Sequence, residues 1–202
     1  SYVSNTTSNS AKEILGYPKY VDQDNDGVLT ENDLIYLGNS DPVLFGGLQN
    51  TFNIGQLKIG FFFSYSLGGK IYNYSELSMA GSYTTNQYRY MLNAWHPVRN
   101  PESDYPRAGT DDRMLPSSFA VHDASYLRLK NASISYTFDL AKKTRHLRDV
   151  TIGVSGTNLF LISKYNGFDP DVPTNNESTL RRVDMGAYPQ SRMVIFSLQV
   201  RY

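Results

Sequence analysis

From Asp22 to Asp33 the chain reads Asp-Gln-Asp-Asn-Asp-Gly-Val-Leu-Thr-Glu-Asn-Asp, three aspartates two residues apart ahead of a glycine. A hard cation takes six to eight oxygen ligands, and this spacing turns several carboxylates toward one point. The stretch matches a calcium loop at positions 1, 3, 5, 6 and 12. Asp22, Asp24 and Asp26 are the expected side-chain donors, and Gly27 permits the sharp turn. Val28 would offer its carbonyl and Thr30 a hydroxyl or a bridging water. Position 12 is Asp33 where the pattern has glutamate, and the shorter side chain reaches less far for bidentate coordination. Tyr17-Pro18 stands just before the loop, and only Asn32 to Leu37 has room to turn helically after it. The expectation is a structural Ca2+ clamp without the paired helices of a sensor. The competing reading is a solvated acidic loop built on Asn/Gly turn chemistry.

The remaining chemistry-bearing residues form weaker patterns. His96, His122 and His146 are scattered without metal-site spacing, and His122-Asp123 reads as an ordinary loop contact. Asp169 and Asp171 flank Pro170, which reads as a turn and not as a glycosidase pair. Gly68-Gly69-Lys70 is too short for a phosphate loop and marks a strand end; no nucleophile elbow or dinucleotide fingerprint occurs. With no positioned nucleophile or acid–base pair, the chain is not expected to be an enzyme. Trp95, with Tyr83, Tyr88, Tyr90 and Tyr105 nearby, is a weak candidate for contact with substrate, and equally suited to packing its own loop.

Composition narrows the setting. The 202 residues carry 19 Lys+Arg against 19 Asp+Glu, so no basic field exists to hold nucleic acid. The absence of cysteine removes disulfides, thiolate metal sites and thiol catalysis. No apolar run approaches the roughly 18 to 20 residues of a membrane-spanning helix. The chain does not start with Met or a signal peptide, so it reads as processed or as a piece of something longer. Sixteen Tyr and 10 Phe against one Trp favour strands, and tyrosine suits a boundary between apolar and wet surroundings.

Period-two alternation recurs along the chain, the mark of half-buried strands. Strands are expected at about 44–52, 57–67, 126–138, 150–162 and 192–202. Leu57, Ile59, Phe61, Phe63, Tyr65 and Leu67 share one face, opposite Lys58, Gly60, Ser64 and Ser66. Val150, Ile152, Val154, Phe160 and Ile162 likewise oppose Thr151, Gly153, Ser155 and Thr157. Leu127 and Leu129 fall out of phase with Ala132, Ile134, Tyr136 and Phe138, which calls for a bulge near Lys130. Strands of about 10 residues match the 9 to 11 that a tilted strand needs to cross a bilayer. Connections alternate between short turns and the long polar loops 68–125 and 163–190, the sorting found in outer-membrane barrels. Phe196, Leu198, Val200 and Tyr202 alternate up to a terminal aromatic, the form of a barrel assembly signal. The fold class is therefore all-β, with antiparallel strands forming part of a transmembrane barrel. The alternative is a secreted calcium-binding adhesion or carbohydrate-binding β-sandwich module. Five strands are too few to close a membrane barrel, which begins at about 8, so the rest must come from the same parent chain or a separate one.

Several stretches taken together resemble the C-terminal region of the SusC/RagA family of TonB-dependent outer-membrane transporters. They are Tyr20 to Asp33 with Gly38-Asn39-Ser40-Asp41-Pro42, Asp123-Ala124-Ser125-Tyr126-Leu127-Arg128-Leu129-Lys130-Asn131, Ser155-Gly156-Thr157-Asn158-Leu159-Phe160, Lys164-Tyr165-Asn166-Gly167-Phe168-Asp169-Pro170, and Tyr188-Pro189-Gln190-Ser191-Arg192. The resemblance implies a barrel of about 22 strands around a plug, driven by TonB, in the outer membrane of a Gram-negative, Bacteroidota-like bacterium. It also implies a SusD-like lipoprotein lid and import of oligosaccharides or peptides. On this reading residues 1–42 are an extracellular segment carrying the calcium loop at 22–33, and residues 43–202 supply barrel strands and two outer loops. Lys58, Ser64, Thr151, Ser155, Gln199 and Arg201 would face the plug or lumen, and the apolar face would meet outer-membrane lipid. Family loops that touch cargo or lid vary, so no substrate-contact residue is carried over.

Overall fold

A strand that alternates apolar and polar residues can hide one face only, and five such strands associate here edge to edge. The computed structural model describes residues 15–18, 20–80, 84–108, 114–141, 146–172 and 181–202. In chain order its elements are β1 (Leu44–Ile54), β2 (Leu57–Leu67), β3 (Lys70–Asn73), α1 (Tyr74–Met79), β4 (Val121–Asp123), β5 (Tyr126–Asp139), β6 (Asp149–Ser163), β7 (Val183–Asp184) and β8 (Met193–Arg201). Short 3-10 turns occupy Glu31–Asp33, Arg89–Asn93 and Ser118–Ala120. No helix among the described residues is long and apolar enough to cross a membrane.

The long strands form one antiparallel sheet in the order β1-β2-β5-β6-β8, open at both edges. The phase slip in β5 is a bulge. Phe62 pairs with Asn131 and Phe63 with Leu129, which leaves Lys130 as an extra residue against β2. Against β6 the register shifts across the same place, and there Asn158 takes a left-handed backbone, φ 51°. Because of the extra residue, Leu127 and Leu129 stay on the face of Phe63 and Phe160, while Ala132 and Ile134 continue the face of Phe61 and Ile59. An aromatic row crosses this face: Phe52 to Phe61 at 6.1 Å, Phe61 to Phe63 at 5.5 Å and Phe63 to Phe160 at 5.9 Å between centroids. The opposite face is polar, with Thr137 bonded to Thr151 at 2.8 Å and Arg201 to Asp149 at 2.9 Å.

Burial separates the sheet from its loops. Of the buried apolar side chains only Tyr126 belongs to a long strand. Phe196 is 80% exposed, Leu198 69% and Ile152 51%, so the apolar face has no protein partner among the described residues. Among the described residues the core lies in the connections, in two clusters. Leu77, Ala80, Met114 and Ala120 form one; Ile71, Ala124 and Tyr165 form the other. The clusters fall in two compact units. One takes the described parts of Ser1–Gly38, Tyr72–Val121 and Val183–Gly186, and the other Asn39–Ile71, His122–Arg182 and Ala187–Tyr202.

The bulge generates a test. Lys130 makes only a partly exposed ion pair with Asp171 at 3.8 Å, so Lys130→Ala should cost about 0–1 kcal/mol. Inserting one alanine between Ser133 and Ile134, where the register is regular, instead moves part of β5 onto the wrong face of the sheet. Assembled protein in the membrane fraction, read by resistance to limited proteolysis, should survive the substitution and disappear with the insertion.

Candidate metal centre

Residues 22–33 fold back on themselves because their own carboxylates take up the loop's backbone N–H groups. Asp22 accepts from the N–H groups of Asn25 at 2.7 Å and Gly27 at 2.9 Å. Asp24 accepts from Asp26 N–H at 3.3 Å, and Asp26 from Val28 N–H at 2.7 Å. This is aspartate turn chemistry, in which a short side chain stands in for a backbone acceptor. The reversal needs left-handed backbone at Asn25, φ 60°, and at Gly27, φ 86°, where the missing Cβ removes the steric cost. Thr30 and Asp33 then form a capping box on the 3-10 turn: the Thr30 hydroxyl accepts from Asn32 N–H at 3.2 Å, and Asp33 accepts from Thr30 N–H at 2.7 Å. The second oxygen of Asp33 accepts from Gln23 N–H at 2.7 Å, closing the loop end to end. Those donors, Thr30 foremost and then Gln23, hold the Asp33 carboxyl below the usual carboxylate range.

One carboxylate oxygen from each of Asp22, Asp24 and Asp33 lies within 4.8 Å of the others. Asp26 lies outside that group, turned to the Val28 N–H. The oxygens gathered here are the hard, anionic type that Ca2+ prefers, with the Val28 carbonyl and Thr30 on the same short loop.

The aromatic candidates have structural work of their own. Tyr88, Tyr90 and Tyr105 stack at 5.4 and 4.6 Å between centroids, and burial raises the Tyr90 phenol well above its ordinary range. Trp95 packs on the backbone of Gly16, where a Cβ would sit 2.5 Å from the ring. Trp95, Tyr17, Tyr20 and Tyr105 line a cavity of about 800 Å³. Tyr83 lies outside the described residues. The histidines serve their loops: His96 Nδ1 accepts from the Val98 and Arg99 N–H groups at 3.2 Å, His122 meets the Tyr165 ring at 5.8 Å, and His146 is exposed. Asp169 and Asp171 are held by cations, Arg128 and Lys130. The Arg128–Asp169 pair spans 41 residues of sequence and is buried. Its one sequence signal was an arginine on the polar face of an alternating strand.

Similarity to known proteins agrees with this architecture. Two TonB-dependent receptors of Formosa agariphila are 31% and 29% identical over 204 and 201 residues, covering 98% and 94% of this chain. TonB-dependent receptor SusC of Bacteroides thetaiotaomicron is 27% identical over 186 residues, 91% of the chain. The chain is similar to TonB-dependent receptors, SusC among them. It spans only about a fifth of these relatives, 20%, 20% and 17% of their lengths. No family model matches. Among solved structures, the RagAB peptide importer in its 'closed-closed' state aligns with a TM-score of 0.69 at 24% identity, over 90% of this chain and 21% of that one. Its 'open-open' state gives 0.68 at 22%, over 91% and 20%. At those identities the likeness carries the fold, which is an incomplete, mostly antiparallel barrel sheet. These relatives are named as TonB-dependent receptors.

The closure of the aspartate loop is directly testable. Asp33→Ala should accelerate amide hydrogen exchange at Gln23 and Thr30, whose N–H groups it accepts, and leave Ala124 unchanged. Uniform protection in the variant would show that the loop holds itself without that side chain.

Proposed function

We propose that this chain is the C-terminal wall of an outer-membrane TonB-dependent importer, taking up oligosaccharides or peptides with a SusD-like lipoprotein lid. One observation carries the reading. A sheet open at both edges exposes a continuous apolar, aromatic face, and its relatives are about five times longer. In hydrocarbon an unpaired strand edge costs several kcal/mol per group, so β1 and β8 must pair with strands supplied from outside residues 44–201. A secreted sandwich, by contrast, would pack its apolar faces on each other, and among the described residues nothing packs on that face.

In the mechanism, the polar face bearing Lys58, Ser64, Thr151, Ser155, Gln199 and Arg201 borders the lumen or the plug, and the aromatic row faces lipid. Cargo captured between lid and loops enters the barrel, and TonB acting on the plug releases it inward. None of these steps requires a covalent intermediate. Phe196, Leu198, Val200 and Tyr202 add an apolar row at the β8 edge that suits recognition during assembly. The aspartate loop is proposed to hold Ca2+ through Asp22, Asp24 and Asp33, completed by the Val28 carbonyl, Thr30 and water. Bound there, the ion would screen mutual repulsion among the carboxylates and stiffen the segment ahead of β1.

Two experiments test this reading. Leu198→Arg should lower the stability of the assembled barrel by about 2–4 kcal/mol if its site lies near the bilayer midplane, measured by denaturant titration in detergent or lipid; Gln199→Arg should be tolerated. Equal tolerance at both positions would remove lipid from the apolar face. Calorimetric titration of the whole parent protein should find calcium binding that Asp24→Ala abolishes and Asp26→Ala only weakens. Unchanged affinity in Asp24→Ala would remove the metal.

A further inference from the structure

We propose that Arg128, Arg182 and Ser64 form a recognition socket for a carboxylate group, held in this structure by the chain's own Asp169. The β2–β5 register sets Ser64 opposite Arg128 and Ser66 opposite Tyr126. All four lie on the face away from Phe61 and Phe63, so the socket is on the polar side of the wall. Arg182 joins it by donating from one terminal nitrogen to Ser66 Oγ at 3.4 Å. The Arg128 guanidinium sits 5.7 Å from the centroid of the Tyr126 ring.

The donors here outnumber the acceptors. Ser64 Oγ, Arg128 Nε and Arg182 Nη1 are all buried without a hydrogen-bond partner among the described residues. Such groups are rare, and each carries a desolvation penalty that a bound acceptor would relieve. Arg128, with its side chain 3% exposed, is bonded to Asp169 through Nη2 alone. A guanidinium presents Nε and Nη2 as a parallel fork, and a squarely seated carboxylate accepts from both. Asp169 is not seated that way here: the oxygen that meets Arg128 Nη2 also accepts from the Asp171 N–H at 2.9 Å, and Arg128 Nε has no partner among the described residues. Its own turn holds it to one side.

The intramolecular occupant is therefore a partial fit. A free carboxylate that displaced Asp169 could use the whole Arg128 fork and Ser64 Oγ opposite it in the register, with Arg182, held on Ser66, adding positive charge to the same face. Around the site Arg128, Arg182 and Lys130 stand against Asp169 and Asp171, so the balance stays cationic when Asp169 is displaced. Displacement would also release the segment around Pro170, which is buried beside the pair. On the import reading the ligand is a carboxylate-bearing cargo passing the polar face; the socket rests on that reading only for the source of the ligand.

The test is binding, on the whole parent protein in detergent, with glutarate as probe and uncharged glutaramide as control. Removing the internal competitor by Asp169→Asn should tighten glutarate binding about tenfold, the scale of one charge-assisted hydrogen bond. Adding Arg182→Gln or Arg128→Gln should cancel the gain, and glutaramide should bind none of the variants. Equal affinity in Asp169→Asn and wild type, or a gain that survives loss of Arg128, overturns the socket. Should Asp169→Asn not assemble, Arg182→Gln alone decides: weaker glutarate binding than wild type upholds the socket, and unchanged binding refutes it. These arms read binding and not uptake, so their failure leaves the barrel reading untouched.

Discussion

Backbone hydrogen bonding is the constraint on which the rest of this structure depends. A strand in hydrocarbon must give every N–H and C=O to a neighbouring strand, because no water is there to take them. On the proposed reading, strands of 9 to 15 residues satisfy that demand over a bilayer's thickness. The same demand makes the sheet incomplete by itself, since β1 and β8 each present an open edge. On the proposed reading the open edges and the exposed aromatic face thus have one cause.

With the sheet left without a core of its own, order in the connections comes from local devices. Two small apolar clusters, turns closed by aspartate side chains, and stacked tyrosines do the work that a common core does in a soluble domain. The Arg128–Asp169 pair fastens the segment after β6 onto the polar face of β5. A buried ion pair is a poor stabiliser compared with apolar packing, but removing one partner strands a charge. Such a contact fixes where a loop lies without making the position irreversible.

The strands were legible because alternation is dictated by residue type alone. Val194 to Tyr202 reads as a strand in the sequence, and β8 occupies Met193–Arg201. The out-of-phase pair Leu127 and Leu129 pointed to Lys130, and the register shift lies there. The aspartate spacing brought Asp22, Asp24 and Asp33 together but not Asp26, because adjacent turns compete for the same carboxylates. The elements inside the long loops left no trace. β3, β4 and β7 are two to four residues long, too short for periodicity, and depend on partners as distant as Tyr72 and Val183. The polar socket was equally hidden, since Arg128 and Asp169 meet only through tertiary folding.

The central claim is that one face of the sheet meets lipid and the other meets an aqueous or protein-lined interior. This stretch contains no cysteine, so single cysteines placed successively from Thr151 to Ser155 along β6 report on each face in turn. In intact outer membranes, cysteines at positions 151, 153 and 155 should react with a water-soluble maleimide, and those at 152 and 154, whose thiols stay protonated in hydrocarbon, should not. Labelling without a period of two, or water-soluble reagent reaching Ile152 and Val154, would contradict a membrane wall.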